Sequence, residues 1–171
     1  MRKFKRLAVF FFAIFILSAS FSLIHTTRSK SLNDFDGSIL RQTAVSELGN
    51  DGDEKYWKWS GFDSHTSWCA CFVLWCVAEC YDGAPKFASC HEFLKWFRGE
   101  RLLYGAGAKP LPGMIVFFDW DEDGLPDHMG IVDRRDGEKV FVLEGNSGNK
   151  CLRNAYDTES SAILADRKSV V

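Results

Sequence analysis

A thiol, an imidazole and a carboxylate occur along this chain in an order that could support nucleophilic catalysis. Cys69 lies in the segment WCACFV, His128 in DHMGIV and Glu144 in VLEGN. A free cysteine has a pKa of about 8.5, so little of it is thiolate at neutral pH. An imidazole can accept the thiol proton, and a carboxylate can orient that imidazole through its other ring nitrogen. The three residue types therefore predict a reaction with Cys69 as the nucleophile.

The residues around Cys69 predict a helix that begins beside it. Ser67 is a candidate N-cap, and the helix is expected to run to about Tyr81, before the helix-ending sequence DGAP. The first turn of a helix carries unpaired N–H groups and the positive end of the helix dipole, which stabilise a thiolate. The N–H of Cys69 is also a candidate donor to an oxyanion. One predicted face carries Cys69, Phe72, Val73, Cys76 and Cys80.

The remaining pattern predicts helices first and strands later. Two further helices are expected at 38–48 and 89–97, and an aromatic-rich loop at 51–66. This order favours an α+β fold in which N-terminal helices pack on a C-terminal antiparallel sheet. His128 would open one strand and Glu144 would follow its antiparallel neighbour. The strands are expected at 114–118, 128–133 and 139–143, with weaker ones at 151–156 and 161–165.

The N-terminal segment has the pattern of a targeting signal. Residues 1–6 include four basic side chains, and the run from Leu7 to Ile24 is apolar except for serines. This pattern predicts a secretory signal peptide cleaved after Ser20, or a membrane anchor that leaves the following part outside. Both alternatives export the protein. The expected organisation is 1–24 signal peptide or anchor, 25–37 linker and 38–171 catalytic domain.

The charge balance argues against nucleic acid as a partner. The formal net charge is −2 at pH 7, and loss of residues 1–20 with their four basic side chains would change it to −6. The sequence contains no basic patch that would track a phosphate backbone. We therefore expect an exported monomer that contacts the membrane only through its N-terminal segment.

Six cysteines stand at 69, 71, 76, 80, 90 and 151. Export permits disulfides, but four of the six fall on one predicted helix, where neighbours rarely have disulfide geometry. The chain contains no C-x-x-C pair, and the spacing does not match a zinc site. Most of these thiols are predicted to be small buried apolar groups, and any disulfide connectivity stays open.

The sequence DWDEDG at 119–124 places carboxylates at alternate positions before a glycine, as a calcium loop does. Asp119, Asp121 and Asp123 are therefore candidate Ca²⁺ ligands, with Asp127 at the ninth position of the loop. Gly130 occupies the twelfth position, where a bidentate glutamate is expected. The alternative is a solvated acidic hairpin loop without an ion.

Trp57, Trp59 and Trp68 flank Cys69 in the sequence. Aromatic faces can stack on sugars or on peptides, so these residues are candidates for substrate binding. The alternative for each of them is packing in the protein core.

Residues 40–165 resemble the CHAP domain, the cysteine, histidine-dependent amidohydrolase/peptidase family. The resemblance rests on WCA-x-FV-x-WC from Trp68, G-x-x-VFF from Gly113, DH-x-GIV from Asp127 and EGN from Glu144. It implies a papain-like fold and cleavage of peptidoglycan, at the muramoyl–L-alanine amide or within the peptide stem or cross-bridge. By motif, Cys69 is the nucleophile, His128 the general base and Glu144 its orienting group, and Asn146 assists by hydrogen bonding. Cys71 stands where the family tolerates many residue types.

The sequence therefore predicts an exported cysteine amidohydrolase that acts on peptidoglycan and requires no cofactor, with Ca²⁺ as an additional candidate ligand. Two other classes compete with this prediction. One is an exported binding module that keeps the fold without turnover. The other is a thiol redox protein, which the absence of a C-x-x-C pair disfavours.

Overall fold

The computed structural model describes residues 35–52, 54–104 and 109–164. Within this part, helices precede strands, and the strands form one antiparallel sheet in the order β1-β2-β3-β4. The predicted α+β architecture is therefore confirmed. The elements are α1 (Gly37–Ser46), α2 (Glu54–Trp59), α3 (Cys69–Cys80), α4 (Cys90–Glu100), β1 (Ile115–Phe118), β2 (His128–Asp136), β3 (Lys139–Ser147) and β4 (Lys150–Asp157).

None of the helices in this part of the chain is long and apolar enough to cross a membrane. The run from Leu7 to Ile24, on which the predicted signal peptide or anchor rests, lies outside the described residues. The folded part includes Asp36, whose side chain accepts a hydrogen bond from the N–H of Ser38 and so caps α1.

The central helix of the fold is α3, which packs against α1, α2, β2 and β3. It begins at Cys69, after Trp68, and Trp68 provides no side-chain cap. The prediction of Ser67 as the N-cap was therefore wrong by one residue. Packing fixes this helix end, because the Trp68 ring is buried, stacks on Tyr56 at 5.1 Å between ring centroids and donates a hydrogen bond to Asn149.

The segment at 51–66 contains the short helix α2, so its prediction as a loop was wrong. Six residues are too few for a helix that is stable by itself, and tertiary contacts must support it. Tyr56 supplies such contacts, since its buried ring packs on α3 residues and its hydroxyl donates to Glu47 at 2.5 Å.

The helix α4 begins at Cys90 because Ser89 caps it. The Ser89 hydroxyl accepts a hydrogen bond from the N–H of Glu92 at 3.3 Å. The helix continues to Glu100, three residues beyond its predicted end, and Arg101 then adopts the left-handed conformation with φ of 63°.

The strands β1, β2 and β3 have buried residues on both faces of the sheet, whereas most residues of β4 are exposed. Alternate residues of the strands face the helices or a second, smaller apolar cluster that includes Ile163. The weak strand predicted at 161–165 is only an isolated bridge from Ile163 to Phe118, whereas β4 is a full strand and β2 and β3 are longer than predicted. The helix-facing residues include Ile115, Phe117, Met129, Ile131 and Leu143.

A glycine lets β3 lie directly against the first turns of α3. A Cβ atom at Gly145 would lie 2.4 Å from the Cβ of Phe72 and 2.9 Å from a ring atom of Trp68. Any larger residue would push the strand away from the helix. The close approach brings the strand that carries Glu144 next to the helix that begins with Cys69.

Candidate active site

Cys69 is the first residue of α3 and its side chain is only 2 % exposed. Its position at the helix N-terminus gives it neighbouring N–H groups without intrahelical acceptors. One of these, the N–H of Ala70, hydrogen-bonds to the Cys69 sulfur. The structure confirms the predicted position of Cys69 in the first turn of a helix.

His128 and Glu144 face each other across neighbouring strands. His128 is the first residue of β2, and its Nε2 lies 3.0 Å from Oε2 of Glu144 on β3. The ring of His128 also hydrogen-bonds to Cys69. Because Nε2 faces the carboxylate, Nδ1 is the nitrogen left for the thiol. The structure therefore brings Cys69, His128 and Glu144 together in one chain of hydrogen bonds.

The surroundings of Cys69 and His128 favour the charged form of both. A hydrogen bond from Cys90 is the largest cause that lowers the pKa of Cys69, burial opposes it, and the hydrogen bond and charge of His128 add to it, for a result of about 5. Burial lowers the pKa of His128, but the hydrogen bonds and charges of Cys69 and Glu144 outweigh burial and raise it to about 9. Between these two values the pair is thiolate and imidazolium.

This ion pair predicts a specific pH dependence of thiol reactivity. Below about pH 5 the Cys69 thiol holds its proton, so its alkylation by iodoacetamide should be slow and should rise as the pH passes 5. The rate at Cys69 can be followed by peptide mass spectrometry. Cys71 is the internal control, because burial raises its pKa. A rate at Cys69 that rises only near pH 8.5, as for an ordinary thiol, would contradict the ion pair.

Two residues of β4 complete the surroundings of Glu144, and sequence reasoning missed both. Asn154 Nδ2 donates to Glu144 Oε2 at 2.9 Å and to Ser147 Oγ at 2.8 Å. The hydroxyl of Tyr156 interacts with the same carboxylate, and burial followed by the Glu144 charge raises the pKa of Tyr156. The β3–β4 register makes Asn154 the diagonal neighbour of Glu144 on one face of the sheet. Asn154 and Tyr156 occupy alternate positions of the strand predicted at 151–156, and this spacing could have indicated that they share one face of the sheet.

The sequence from 55 to 146 matches the family model of the CHAP domain. This match covers more than half of the 171 residues and includes Cys69, His128 and Glu144. The chain belongs to the CHAP domain family.

Two solved structures share the fold of this CHAP domain. Both are crystal structures of Ly7917, and one is described as Ly7917 "with the hydrolyzing product of MDP". Each has a TM-score of 0.51 and 17 % sequence identity with this chain. The matches cover 79 % and 80 % of this chain but only 61 % and 62 % of Ly7917. No curated protein matches the sequence. The fold is thus the papain-like α+β fold that the motifs imply.

Asn146, which the resemblance gives an assisting role, contacts a different part of the site. Its Nδ2 lies 3.3 Å from the hydroxyl of Ser67, two residues before α3. Asn146 adopts a left-handed conformation with φ of 60°. This hydrogen bond of Asn146 therefore links the end of β3 to the segment that precedes Cys69, and its acceptor is not the His128 ring.

The tryptophans near Cys69 do not form an open binding surface. Trp57 and Trp68 are buried in the core, so their prediction as stacking platforms for substrate was wrong. Trp59 is half-buried, and the ammonium group of Lys86 lies 4.7 Å from its ring centroid. Aromatic content alone carries no information on burial, since core packing and ligand stacking use the same rings.

An exposed tryptophan, Trp120, is connected to His128 through the ring of Phe118. Trp120, in the loop after β1, is 48 % exposed and stacks on Phe118 with 4.8 Å between ring centroids. Phe118 in turn lies 6.0 Å from the ring of His128. Sequence reasoning assigned Trp120 no role, because it lies within the acidic segment.

All six cysteines lie within the described residues, are buried and form no disulfide. Cys71, beside Cys69 in the sequence, turns its thiol away and donates to the carbonyl of Phe87 at 3.5 Å. Cys90 instead lies in the site, with its sulfur 3.5 Å from that of Cys69. Nothing in the sequence spacing indicates this second contact, which depends on the packing of α4 beside α3.

The acidic loop brings together a different set of carboxylates from the one predicted. Single oxygen atoms of Asp119, Asp121 and Asp127 all lie within 4.8 Å of one another, and Asp123 is not in this group. Asp123 Oδ1 accepts the N–H of Leu125, and Asp127 Oδ2 accepts the N–H of Trp120. Asp127 immediately precedes His128, so the acidic group and the candidate active site are adjacent.

Proposed function

We propose that this protein is a peptidoglycan hydrolase that cleaves an amide bond through the Cys69 thiolate. The observation that carries the proposal is the hydrogen-bonded chain from Cys69 through His128 to Glu144 within a CHAP domain. The description of a Ly7917 structure with a hydrolysis product supports hydrolysis as the reaction of a protein with this fold.

The first half of the proposed reaction forms an acyl-enzyme. The Cys69 thiolate attacks the amide carbonyl carbon, and N–H groups at the start of α3, including its own, stabilise the oxyanion. The imidazolium of His128 then donates its Nδ1 proton to the departing amine as the C–N bond breaks. The pKa of about 9 at His128 keeps that proton available at neutral pH.

The second half releases the acyl group. Neutral His128 accepts a proton from a water molecule, which attacks the thioester, and Cys69 departs as the thiolate. Glu144 accepts the Nε2–H of His128 throughout, which fixes the tautomer and aims Nδ1 at the sulfur. Because Glu144 is 2 % exposed, water does not compete for its oxygen.

Membership of the CHAP domain family supports peptidoglycan as the substrate, and two kinds of amide bond in it are candidates for cleavage. The protein would cut the muramoyl–L-alanine amide or an amide of the peptide stem or cross-bridge. We further propose that residues 1–24 export the protein, as a signal peptide or as an anchor on the outer face of the membrane, because peptidoglycan lies outside the membrane.

Digestion of purified peptidoglycan tests the proposal directly. The reduced protein would be incubated with walls of several cross-bridge types, and the soluble products identified by mass spectrometry. New free amino and carboxyl ends in peptide fragments would indicate an endopeptidase, and separation of intact stems from glycan strands would indicate an amidase. Binding to the walls without any soluble product would overturn hydrolysis and favour a non-catalytic binding module.

Asn154 is expected to act as a positioning residue for Glu144. An Asn154→Ala variant loses the hydrogen bond to Oε2 and should lower kcat about 10-fold, with little change in KM, because the carboxylate is less well oriented. The pH at which activity falls on the alkaline side should also shift. Asn154→Asp is the contrasting variant, since a second carboxylate beside Glu144 should depress kcat further. Wild-type kinetics for Asn154→Ala would contradict this role.

We also propose that the acidic loop binds Ca²⁺ weakly through Asp119, Asp121 and Asp127. Three carboxylates suit a hard cation, but the loop carboxylates already accept backbone N–H bonds and no glutamate stands at the twelfth position. Calorimetry with CaCl₂ should give binding heat that disappears in Asp121→Asn. The absence of heat with the wild-type protein would eliminate this site.

A further inference from the structure

Two cysteine side chains meet at the ends of two helices. Cys69 is the first residue of α3 and Cys90 is the first residue of α4. Their sulfur atoms lie 3.5 Å apart, and both side chains are buried. The proposed hydrolysis requires only one nucleophilic thiol, and Cys90 enters it only as a hydrogen-bond donor to Cys69.

The two thiols are held in different protonation states. The hydrogen bond to Cys69 is the largest cause that raises the pKa of Cys90, followed by burial and by the charge of Cys69. Cys90 therefore keeps its proton while Cys69 is the thiolate. A thiolate is the form that oxidants attack, and a neighbouring thiol is the group that can capture the oxidised product.

We propose that Cys69 and Cys90 form a reversible disulfide after a peroxide oxidises Cys69. The inference rests on the proposed function only in that Cys69 is the reactive thiolate. The disulfide would block the nucleophile, and reduction by a dithiol would restore it. It would also protect Cys69 from further oxidation to the sulfinic acid, which thiols do not reverse.

Each step balances with a peroxide as the oxidant. The Cys69 thiolate attacks one oxygen of hydrogen peroxide, the O–O bond breaks, and the departing hydroxide takes a proton to become water. Cys69 is then a sulfenic acid. The Cys90 sulfur attacks the Cys69 sulfur, the S–O bond breaks, and the proton lost by Cys90 leaves with the hydroxide as a second water. Two thiols are oxidised and one peroxide is reduced to two waters.

The surroundings of Cys90 change in favour of the second step once Cys69 is oxidised. A sulfenic acid carries no negative charge, so the charge and the hydrogen bond of Cys69 no longer hold the proton on Cys90, whereas burial and the Asp127 charge still favour the protonated thiol. The N-terminus of α4 then favours the Cys90 thiolate, to which its own backbone N–H already hydrogen-bonds. A disulfide requires about 2.05 Å between the sulfurs, so they must approach by only about 1.5 Å.

Peptide mass spectrometry tests for the bond itself. The reduced full-length protein would be treated with hydrogen peroxide, alkylated with iodoacetamide and digested without reductant. We expect a linked pair of peptides containing Cys69 and Cys90, which separates on addition of dithiothreitol. Cys69 recovered as sulfinic acid, or linked to Cys71, would overturn the proposal. These readouts do not depend on wall cleavage, so the disulfide proposal can be supported or rejected even if the protein has no hydrolase activity.

Matched alanine variants separate the role of Cys90 from general thiol oxidation. After peroxide and then dithiothreitol, the wild type and Cys71→Ala should regain most of their own untreated activity. Cys90→Ala should regain no more than about one tenth, because its sulfenic acid proceeds to the sulfinic acid. Equal recovery in Cys90→Ala would overturn the proposal. Circular dichroism checks folding, and Cys90→Ser, which keeps a hydrogen-bond donor beside Cys69, repeats the comparison if the alanine variant unfolds.

Discussion

Cys69→Ala is expected to lower the rate of wall cleavage by at least about 10³-fold. Alanine leaves the His128–Glu144 pair and the helix N-terminus in place but removes the sulfur that forms the acyl-enzyme. The measurement is release of soluble fragments from purified peptidoglycan, with products counted by mass spectrometry. The size of the loss reflects the removal of covalent catalysis, which water at the same position cannot replace.

Cys71→Ala is the matched control for this prediction. Both residues are buried in the first turn of α3, and both substitutions remove one sulfur. Cys71 donates to the carbonyl of Phe87, outside the hydrogen-bonded chain of Cys69, His128 and Glu144. Its loss should therefore leave cleavage within about threefold of wild type at a temperature where the variant is folded. Cleavage that survives in Cys69→Ala, or an equal loss in Cys71→Ala, would reject Cys69 as the nucleophile.

His128→Ala is expected to lower kcat by about 10²–10⁴-fold, because the site loses both its general acid and its general base. The variant should also raise the pKa of Cys69 from about 5 toward the value of about 8.5 for a free thiol, since the imidazolium charge is lost. The measurement pairs wall-cleavage kinetics with the pH dependence of iodoacetamide alkylation at Cys69.

His128→Gln separates acid–base chemistry from packing. Its amide can still donate to Glu144, as Nε2 of the imidazole does, but it cannot take up or release a proton at neutral pH. It should therefore be as inactive as the alanine variant while remaining folded by circular dichroism. Activity of His128→Gln within a few-fold of wild type would show that His128 serves only to hold Glu144 in place.

The sequence alone was sufficient to select the three residues that the structure joins in one chain of hydrogen bonds, because the chemistry restricts their types and their order. Cys69, His128 and Glu144 could be selected because few side chains can replace a thiolate, a base near neutral pH and an orienting carboxylate. Their elements were also predicted, because α3 and the first three strands are strongly apolar. The short helix α2 was missed since its six residues are supported by the contacts of Tyr56, which local propensity does not describe.

The partners of the three residues could not be predicted in the same way. Asn154 reaches Glu144 because of the register between β3 and β4, and a shift of one residue would turn Asn154 to the opposite face. Cys90 reaches Cys69 because α4 packs beside α3. The prediction of substrate-binding tryptophans was wrong for a related reason, because burial depends on tertiary packing. Trp68 and Trp120 have the same side chain, but Trp68 is buried and Trp120 is exposed.

The lack of a side chain at Gly145 has a consequence for protein engineering. A designer who transfers Cys69, His128 and Glu144 to another scaffold would copy three side chains but not the distance between the backbones that carry them. In this domain that distance is set by direct contact of Gly145 with Phe72 and Trp68. A transplanted site therefore needs the glycine and its aromatic neighbours as part of the minimal unit, although none of them takes part in the chemistry.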